Sequence, residues 1–308
     1  MKIISIVIPV YNEKDALPNF FNRLFPVLTN LDKYTFEIIV VNDGSTDETL
    51  KLVTNLKKEN NNIIILDLSK NFGKEAALTA GLDISKGEAV IPIDCDLQDP
   101  PELISKMLIK WEKGYDIIEA KRIDRKSDTI FKKLSANIFY KFLNLLTANK
   151  ITHNVGDFRL MNRTVIDNIK SLEEKNRFMK GLFAWPGFKV GSIEYKREKR
   201  VSGKSKFKFF KLMQLAIDGI TSFSIIPLKI ISLLGLIGVF ISIIFTIIIL
   251  FQKIYLENFI TGYAFLLITI LFFGSVQLLS LGIIGEYIGK IYFEVKKRPI
   301  YIIKKIYK

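Results

Sequence analysis

Two carboxylates one residue apart at the end of an apolar run call for a cation. The stretch Ile91–Glu102, IPIDCDLQDPPE, places Asp94 and Asp96 directly after the apolar segment, with Asp99 and Glu102 close behind, in a chain of formal net charge +14. Carboxylates this close repel unless a divalent ion sits between or beside them. Hard Mg2+ or Mn2+ prefers such oxygens and can share its remaining coordination sites with substrate phosphates. The amide carbonyl of Gln98 adds an oxygen donor, so Asp94, Asp96 and Gln98 form a candidate metal loop. Asp99 and Glu102 have a structural reading instead. Asp is a favoured N-cap, Pro suits the first helical turn, and Glu at the third helical position completes a capping box.

The segments around this loop alternate between strand and helix signals. Continuous apolar runs at Ile3–Val10, Phe36–Val41, Ile63–Leu68 and Ala89–Ile93, with Ile117–Ala120 as a candidate fifth, read as buried strands. Helix-period stretches lie between them at Asp15–Leu31, Thr46–Lys58, Lys74–Ile84 and Pro101–Glu112. This alternation predicts an α/β domain with a mostly parallel, Rossmann-like sheet covered on both faces. In such sheets ligands bind beyond the carboxyl ends of the strands, which singles out the loops Val10–Glu13, Val41–Thr46 and Asp94–Asp99. The candidate ligand contacts in and beside them are Pro9, Tyr11, Glu13, Asp43 and Asp94. Asp43, just before Gly44, has two readings: it holds a ribose or base, or it stabilises the turn. Ser45 and Glu48 fit a capping box. Neither a GxGxxG nor a GxxxxGK[ST] motif is present, which argues against a dinucleotide-cofactor enzyme or a P-loop NTPase.

The composition, 49% hydrophobic and 25% charged, excludes a disordered chain. Its apolar content is concentrated late. Ile230–Phe251 has no charged residue, and Phe259–Gly285 has none either. Each exceeds the roughly 20 residues that cross a bilayer as a helix; a buried core helix is the competing reading, and few soluble helices are apolar on every face for such a length. The expected organisation is therefore a soluble domain over 1–227, with 207–227 as a juxtamembrane amphipathic segment, then a membrane domain over 228–308 with spans at about 230–251 and 259–285. Lys290, Lys296, Lys297, Arg298, Lys304, Lys305 and Lys308 follow the second span, and the segment before the first is also basic. The positive-inside rule then puts the N-terminal part and the tail in the cytoplasm. Met1–Asp15 lacks the length and cleavage site of a signal peptide. Cys95 is the sole cysteine, which suits a reducing compartment. Two spans and a metal loop argue against nucleic acid as the partner of the positive charge.

At this point the motifs resemble a known family. SIVIPVYNE, VNDGSTDET, NFGKEAALTAGL and IPIDCDLQDPPE are similar to family-2 glycosyltransferases of the GT-A fold. GDFRLMNR, NRFMKGLFAWPGF, SGKSKF, DGITSFS and LGIIGEYIGKIYFEVKKRP narrow the resemblance to bacterial polyisoprenyl-phosphate glycosyltransferases, especially the bactoprenol glucosyltransferases, which are related to dolichol-phosphate mannose synthases. Two departures stand out. Cys95 replaces the usual Ala and reads as a small neutral spacer, since a thiolate between two carboxylates is disfavoured. Asn42 stands where many members have Asp.

The resemblance implies inverting transfer of a sugar from a nucleotide diphosphate donor, with UDP-glucose favoured, to a membrane-bound polyprenyl (undecaprenyl) phosphate. It also implies a Mg2+ or Mn2+ cofactor, a bacterial plasma-membrane location and a homotetramer. It places acceptor-phosphate binding at Arg122 and Ser135; the usual basic residue one turn earlier is Phe131 here, so Lys132 and Lys133 are the substitutes, and a core helix with solvated lysines is the competing reading. The basic stretch Lys196–Lys208 reads either as a lipid-facing patch or as a loop closing over the donor diphosphate through Arg200, Lys204 or Lys206. Asp157 matches the position often assigned as a base. A phosphate monoester has a second pKa near ~6 and is already nucleophilic at neutral pH, so Asp157 is expected to position the substrate or Arg159 rather than take a proton. His153 reads as a loop residue. Asp96, Asp157 and Arg122 are thus the expected catalytic set. A processive polysaccharide synthase would carry a QxxRW motif, and none of Gln98, Gln214, Gln252 or Gln277 begins one.

Overall fold

The alternation of apolar and polar positions in β1 (Lys2–Val10) decides which helices cover which face of the sheet. Ile4, Ile6, Ile8 and Val10 point into one core and Val7 into another. The computed structural model describes residues 1–123, 155–175, 177, 179–196, 198, 226–255 and 262–308. The remaining elements of the sheet are β2 (Tyr34–Asn42), β3 (Ile63–Leu68), β4 (Ala89–Pro92), β5 (Ile117–Arg122), β6 (Val155–Asn162), β7 (Val190–Tyr195) and β8 (Ile303–Tyr307). Among the described residues they form an eight-stranded sheet in the order β7-β5-β6-β4-β1-β2-β3-β8. β1 pairs in parallel with both β2 and β4, β2 with β3, and β5 with β7. β6 runs antiparallel between β4 and β5, and β8 antiparallel on β3.

The helices bury their apolar residues against the two faces of the sheet. α1 (Leu17–Thr29) buries Leu17, Phe20, Phe21, Leu24 and Leu28, the i, i+3, i+4, i+7 stripe expected of a helix lying on a sheet. α2 (Thr49–Glu59) and α4 (Leu103–Glu112) join it on the same face through Val53, Leu103, Ile104, Met107 and Leu108. The opposite face carries α3 (Lys74–Ile84), α5 (Arg163–Ser171) and α6 (Met179–Ala184). α3 buries Ala76 to Leu82 without a break. A Cβ on its Gly81 would lie 2.3 Å from Val7 Cγ1, so a glycine there lets α3 settle directly on β1.

The chain divides into two units. The first spans Met1–Leu212 with Arg298–Lys308, and the second Met213–Lys297. In the first, β8 covers the edge of β3, Ser69 N–H donates to the Ile302 carbonyl at 2.9 Å, and Tyr301 OH donates to Asp83 Oδ2 at 2.7 Å. In the second, the described helices are α7 (Ile226–Tyr255) and α8 (Tyr263–Val295), which approach each other at Gly238 and Phe273. Among the described residues, Phe272–Val295 is long and apolar enough to cross a membrane, and Ile226–Gly238 is a shorter apolar helix.

Candidate active site

The sheet collects its acidic loops on one edge. The carboxyl ends of the parallel strands β1, β2 and β4 lead into Tyr11–Glu13, Asp43–Gly44 and Asp94–Asp96. β5 points the same way, so Arg122 lies on that edge. β6 runs in reverse and therefore begins there, which puts Asp157 beside them. Lys121 is opposite Val155 in the β5–β6 register, so Arg122 and Asp157 come from adjoining strand ends.

The first two loops are laced together. Asn12, at a φ of 53°, donates its N–H to Ser45 Oγ at 3.0 Å and accepts from Thr46 N–H at 2.8 Å. Glu13 N–H donates to Thr49 Oγ1 at 2.9 Å. These bonds correct the capping-box reading of Ser45 and Glu48: α2 begins at Thr49, its N–H meets Asp47 Oδ1 at 3.0 Å, and Ser45 instead ties the first loop to the second. Asp43 is buried, and its two oxygens accept the N–H groups of Phe72 and Gly73 at 2.7 and 2.9 Å. Burial pushes its carboxyl up, and these two bonds act in the opposite direction. Gly44 is the residue that makes this possible. It sits at a φ of 65°, and a Cβ there would lie 2.4 Å from the Lys70 carbonyl carbon. The bonds favour the turn-stabilising reading of Asp43: it fixes the entry to α3, and so the position of Lys74.

Lys74 is the residue that sequence reasoning missed. Its Nζ lies 2.7 Å from Asp94 Oδ2 and 2.6 Å from Asp157 Oδ2, a single ammonium bridging an acid of the expected metal loop and the expected positioning acid. Burial opposes its charge, but the two carboxylates more than compensate and raise its pKa, so it remains a cation. No motif signals this, because lysine at the first position of a helix is ordinary. Arg159, expected as a partner of Asp157, pairs with Glu119 at 3.4 Å, donates to the Gly156 carbonyl at 2.7 Å and packs its guanidinium over the Phe183 ring at 4.3 Å.

The third loop is held from several sides. Asp96 is 7% exposed, and its Oδ1 accepts the Gln98 N–H at 3.1 Å across Leu97, whose φ is 58°. Cys95 is buried, and burial, followed by the charges of Glu13, Asp94 and Asp96, pushes its thiol well up. That matches the neutral spacer and places Glu13 within electrostatic reach of the loop. Asp99 and Glu102 are corrected. α4 begins at Leu103 with no side-chain cap; Asp99 accepts a short bond from Tyr195 OH, and Glu102 meets Arg23 at 2.6 Å. Arg23 also binds Glu198 at 2.7 Å, and Glu198 N–H reaches the Gln98 carbonyl at 3.3 Å. This long-range clamp joins α1, the head of α4 and the start of the basic stretch, contacts that no local sequence pattern encodes.

Among the described residues no cluster of three or more His, Cys, Asp or Glu is arranged to hold a metal. The donor set fits a hard divalent ion in kind: the carboxylates of Asp94 and Asp96 and the Gln98 amide carbonyl are oxygen ligands. Lys74 seated against Asp94 shows that this corner of the site attracts positive charge. Arg200, Lys204, Lys206, Lys132, Lys133, Ser135 and His153 lie outside the described residues.

Residues 5–170 match the family model "Glycosyl transferase family 2". The chain is 50% identical over 304 residues to an uncharacterized glycosyltransferase of Synechocystis sp., covering 99% of this chain and 95% of that protein. It is 47% identical over 302 residues to the SfII prophage-derived bactoprenol glucosyl transferase of Shigella flexneri, covering 98% and 97%. A solved structure of glucosyl-3-phosphoglycerate synthase from Mycobacterium tuberculosis, in complex with Mn2+, UDP-glucose and phosphoglyceric acid, is similar at 16% identity and a TM-score of 0.48, over 71% of this chain and 78% of that one. The chain belongs to glycosyl transferase family 2 and is a glycosyltransferase with a GT-A-like α/β fold.

Proposed function

We propose that this enzyme transfers a sugar, glucose in the favoured reading, from a nucleotide diphosphate donor to polyprenyl phosphate at the cytoplasmic face of a bacterial membrane. The observation that carries the reading is the convergence of the Asp94–Asp96 loop, Asp157, Lys74 and Arg122 at one sheet edge, in a chain alike over nearly its whole length to a protein named for bactoprenol glucosylation. A lipid acceptor agrees with the second unit. Leu233, Phe240, Ile247, Phe272 and Leu278 on α7 and α8 are exposed, an apolar surface that fits hydrocarbon better than water. We read α7 and α8 as two membrane-crossing helices, with the basic tail on the cytoplasmic side.

The chemistry needs little from the protein by way of proton transfer. The acceptor phosphate oxygen attacks the anomeric carbon as the bond from that carbon to the donor diphosphate breaks. The electron pair leaves with the diphosphate, and the configuration inverts. A phosphate dianion requires no base, so Asp157 orients the reactants and holds Lys74. Arg122 at the end of β5 meets the acceptor phosphate, with Lys132, Lys133 and Ser135 as further contacts. Arg200, Lys204 and Lys206 meet the departing diphosphate, and preorganised positive charge there lowers the barrier. Asp94, Asp96 and Gln98 would hold Mg2+ or Mn2+, which when bound supplies positive charge to the donor diphosphate.

Asp96→Asn tests the metal loop. It is nearly isosteric, so the chain should fold and keep Cys95 buried while losing transfer of radiolabelled sugar, and EDTA should silence the unchanged enzyme. Full turnover in EDTA would remove the metal from the reading.

A further inference from the structure

We propose that Lys74 is a built-in counter-cation: it competes with the divalent metal for Asp94, and so makes metal binding depend on the nucleotide diphosphate. The inference rests on the metal loop proposed above and goes beyond it. Asp94 follows β4 and Asp157 lies in β6, so two carboxylates from different elements are brought to one ammonium, at 2.7 and 2.6 Å. Without a cation they would repel; Lys74 supplies one from within the chain.

The residue is built to yield. Its backbone is fixed, because Asp43 grips Phe72 and Gly73 immediately before it and α3 is buried behind it. The flexible four-carbon stem is therefore the part that moves. The Lys74 side chain keeps 44% exposure, against 16% for Asp157, so part of its stem borders solvent and has room to move. It has three N–H donors, of which two meet these carboxylates among the described residues, so an ammonium displaced from Asp94 can donate to a phosphate oxygen.

A divalent ion that takes Asp94 must approach this ammonium closely. Like charges at such range repel strongly in a partly buried site. An incoming diphosphate brings negative charge that offsets much of this repulsion. Metal and donor then bind better together than alone, and the coupling is reciprocal. Displaced from Asp94, Lys74 keeps Asp157 and turns toward the diphosphate.

The test is Mn2+ binding to the purified full-length protein, read by the electron paramagnetic resonance signal of free Mn2+, with and without UDP, and with GDP in a parallel arm. Lys74→Met is expected to bind Mn2+ alone at least tenfold more tightly than the unchanged protein, and to lose most of the gain in affinity that the nucleotide confers. Lys74→Arg keeps the charge and should stay near the unchanged protein. General structural damage would weaken the metal rather than tighten it. Should Lys74→Met not fold, as judged by Cys95 labelling, Lys74→Gln replaces it with the same expected direction. Unchanged or weaker Mn2+ binding in the neutral variant, with Mn2+ binding intact in the unchanged protein, overturns the role of Lys74 and leaves the metal loop standing. No Mn2+ binding to any form, with either nucleotide, overturns both.

Discussion

Removing one member of the buried Glu119–Arg159 pair should loosen the catalytic unit far more than removing both. The two residues are direct cross-strand partners on β5 and β6, and their side chains are only 9% and 4% exposed. Burial weakens the hold of the Arg159 guanidinium on its proton, while Glu119 and Asp157 oppose that shift. Arg159→Met leaves a buried carboxylate without its counter-charge. Such losses cost about 3–5 kcal/mol, and a separation of 3.4 Å, long for an ion pair, points to the lower end. Glu119 Oε2 and Arg159 Nε make no hydrogen bond among the described residues, so the pair is not fully satisfied. Replacing both by apolar groups, Glu119→Leu with Arg159→Met, should then cost less than either single change. Cys95 supplies the assay, because it is 3% exposed and shares a core with Ile118 and Ala120 of β5 and Phe158 and Leu160 of β6. Maleimide labelling under native conditions reports how often that core opens. A loss of about 3 kcal/mol would speed labelling by roughly 150-fold in Arg159→Met, and the double variant should fall between it and the unchanged protein. Single variants within about threefold of the unchanged protein, or a double variant equal to the sum of the singles, would refute the argument.

Three further outcomes follow from the site. Because burial and the neighbouring carboxylates raise the Cys95 thiol, its thiolate fraction at a given pH is depressed; native protein should react slowly with a thiol reagent at pH near ~8, where a free thiol with pKa near ~8.5 reacts readily, and prompt native reaction would contradict the burial of the loop. Asp157→Asn should keep the acidic limb of its pH–rate profile near the acceptor phosphate's second pKa of ~6, with a lower plateau; a limb that moves or vanishes would make Asp157 a true base. Arg122→Ala loses a charge-assisted contact of about 1.5–3 kcal/mol and should raise KM for polyprenyl phosphate while sparing donor binding; weakened nucleotide-sugar binding alone would reverse the assignment of the two phosphate sites.

The first half of the fold was legible because its strands are short continuous apolar runs, separated by longer helix-forming stretches. Ile63–Leu68 and Lys74–Ile84 emerge with the bounds read from sequence. β6, β7 and β8 were not anticipated. β6 mixes Asp157, Arg159 and Asn162 into its length, and β7 exposes alternate residues at the sheet's end. β8 reads as a basic tail and becomes a strand only by pairing with the edge of β3, a partner more than two hundred residues earlier. The carboxyl-end rule singled out the loop of Asp94 and Asp96, and the start of the antiparallel β6 brings Asp157 to the same edge of the sheet. What the sequence could not show was which groups they meet. Lys74 reaches two acids through tertiary packing, and Asp99 and Glu102, whose spacing fits a helix cap, bond instead to Tyr195 and Arg23 on distant elements. Local propensity yielded to long-range hydrogen bonds in each case.

Sugar transfer to a lipid phosphate is the decisive measurement of the proposed reaction. Purified full-length protein would be supplied with undecaprenyl phosphate, Mg2+ or Mn2+, and in turn radiolabelled UDP-glucose, GDP-mannose and UDP-linked amino sugars, with organic-phase radioactivity as the readout. Label is expected in the lipid phase with UDP-glucose, abolished by EDTA and by Asp96→Asn. Release of free sugar or growth of a polymer, with no labelled lipid from any donor, would contradict it.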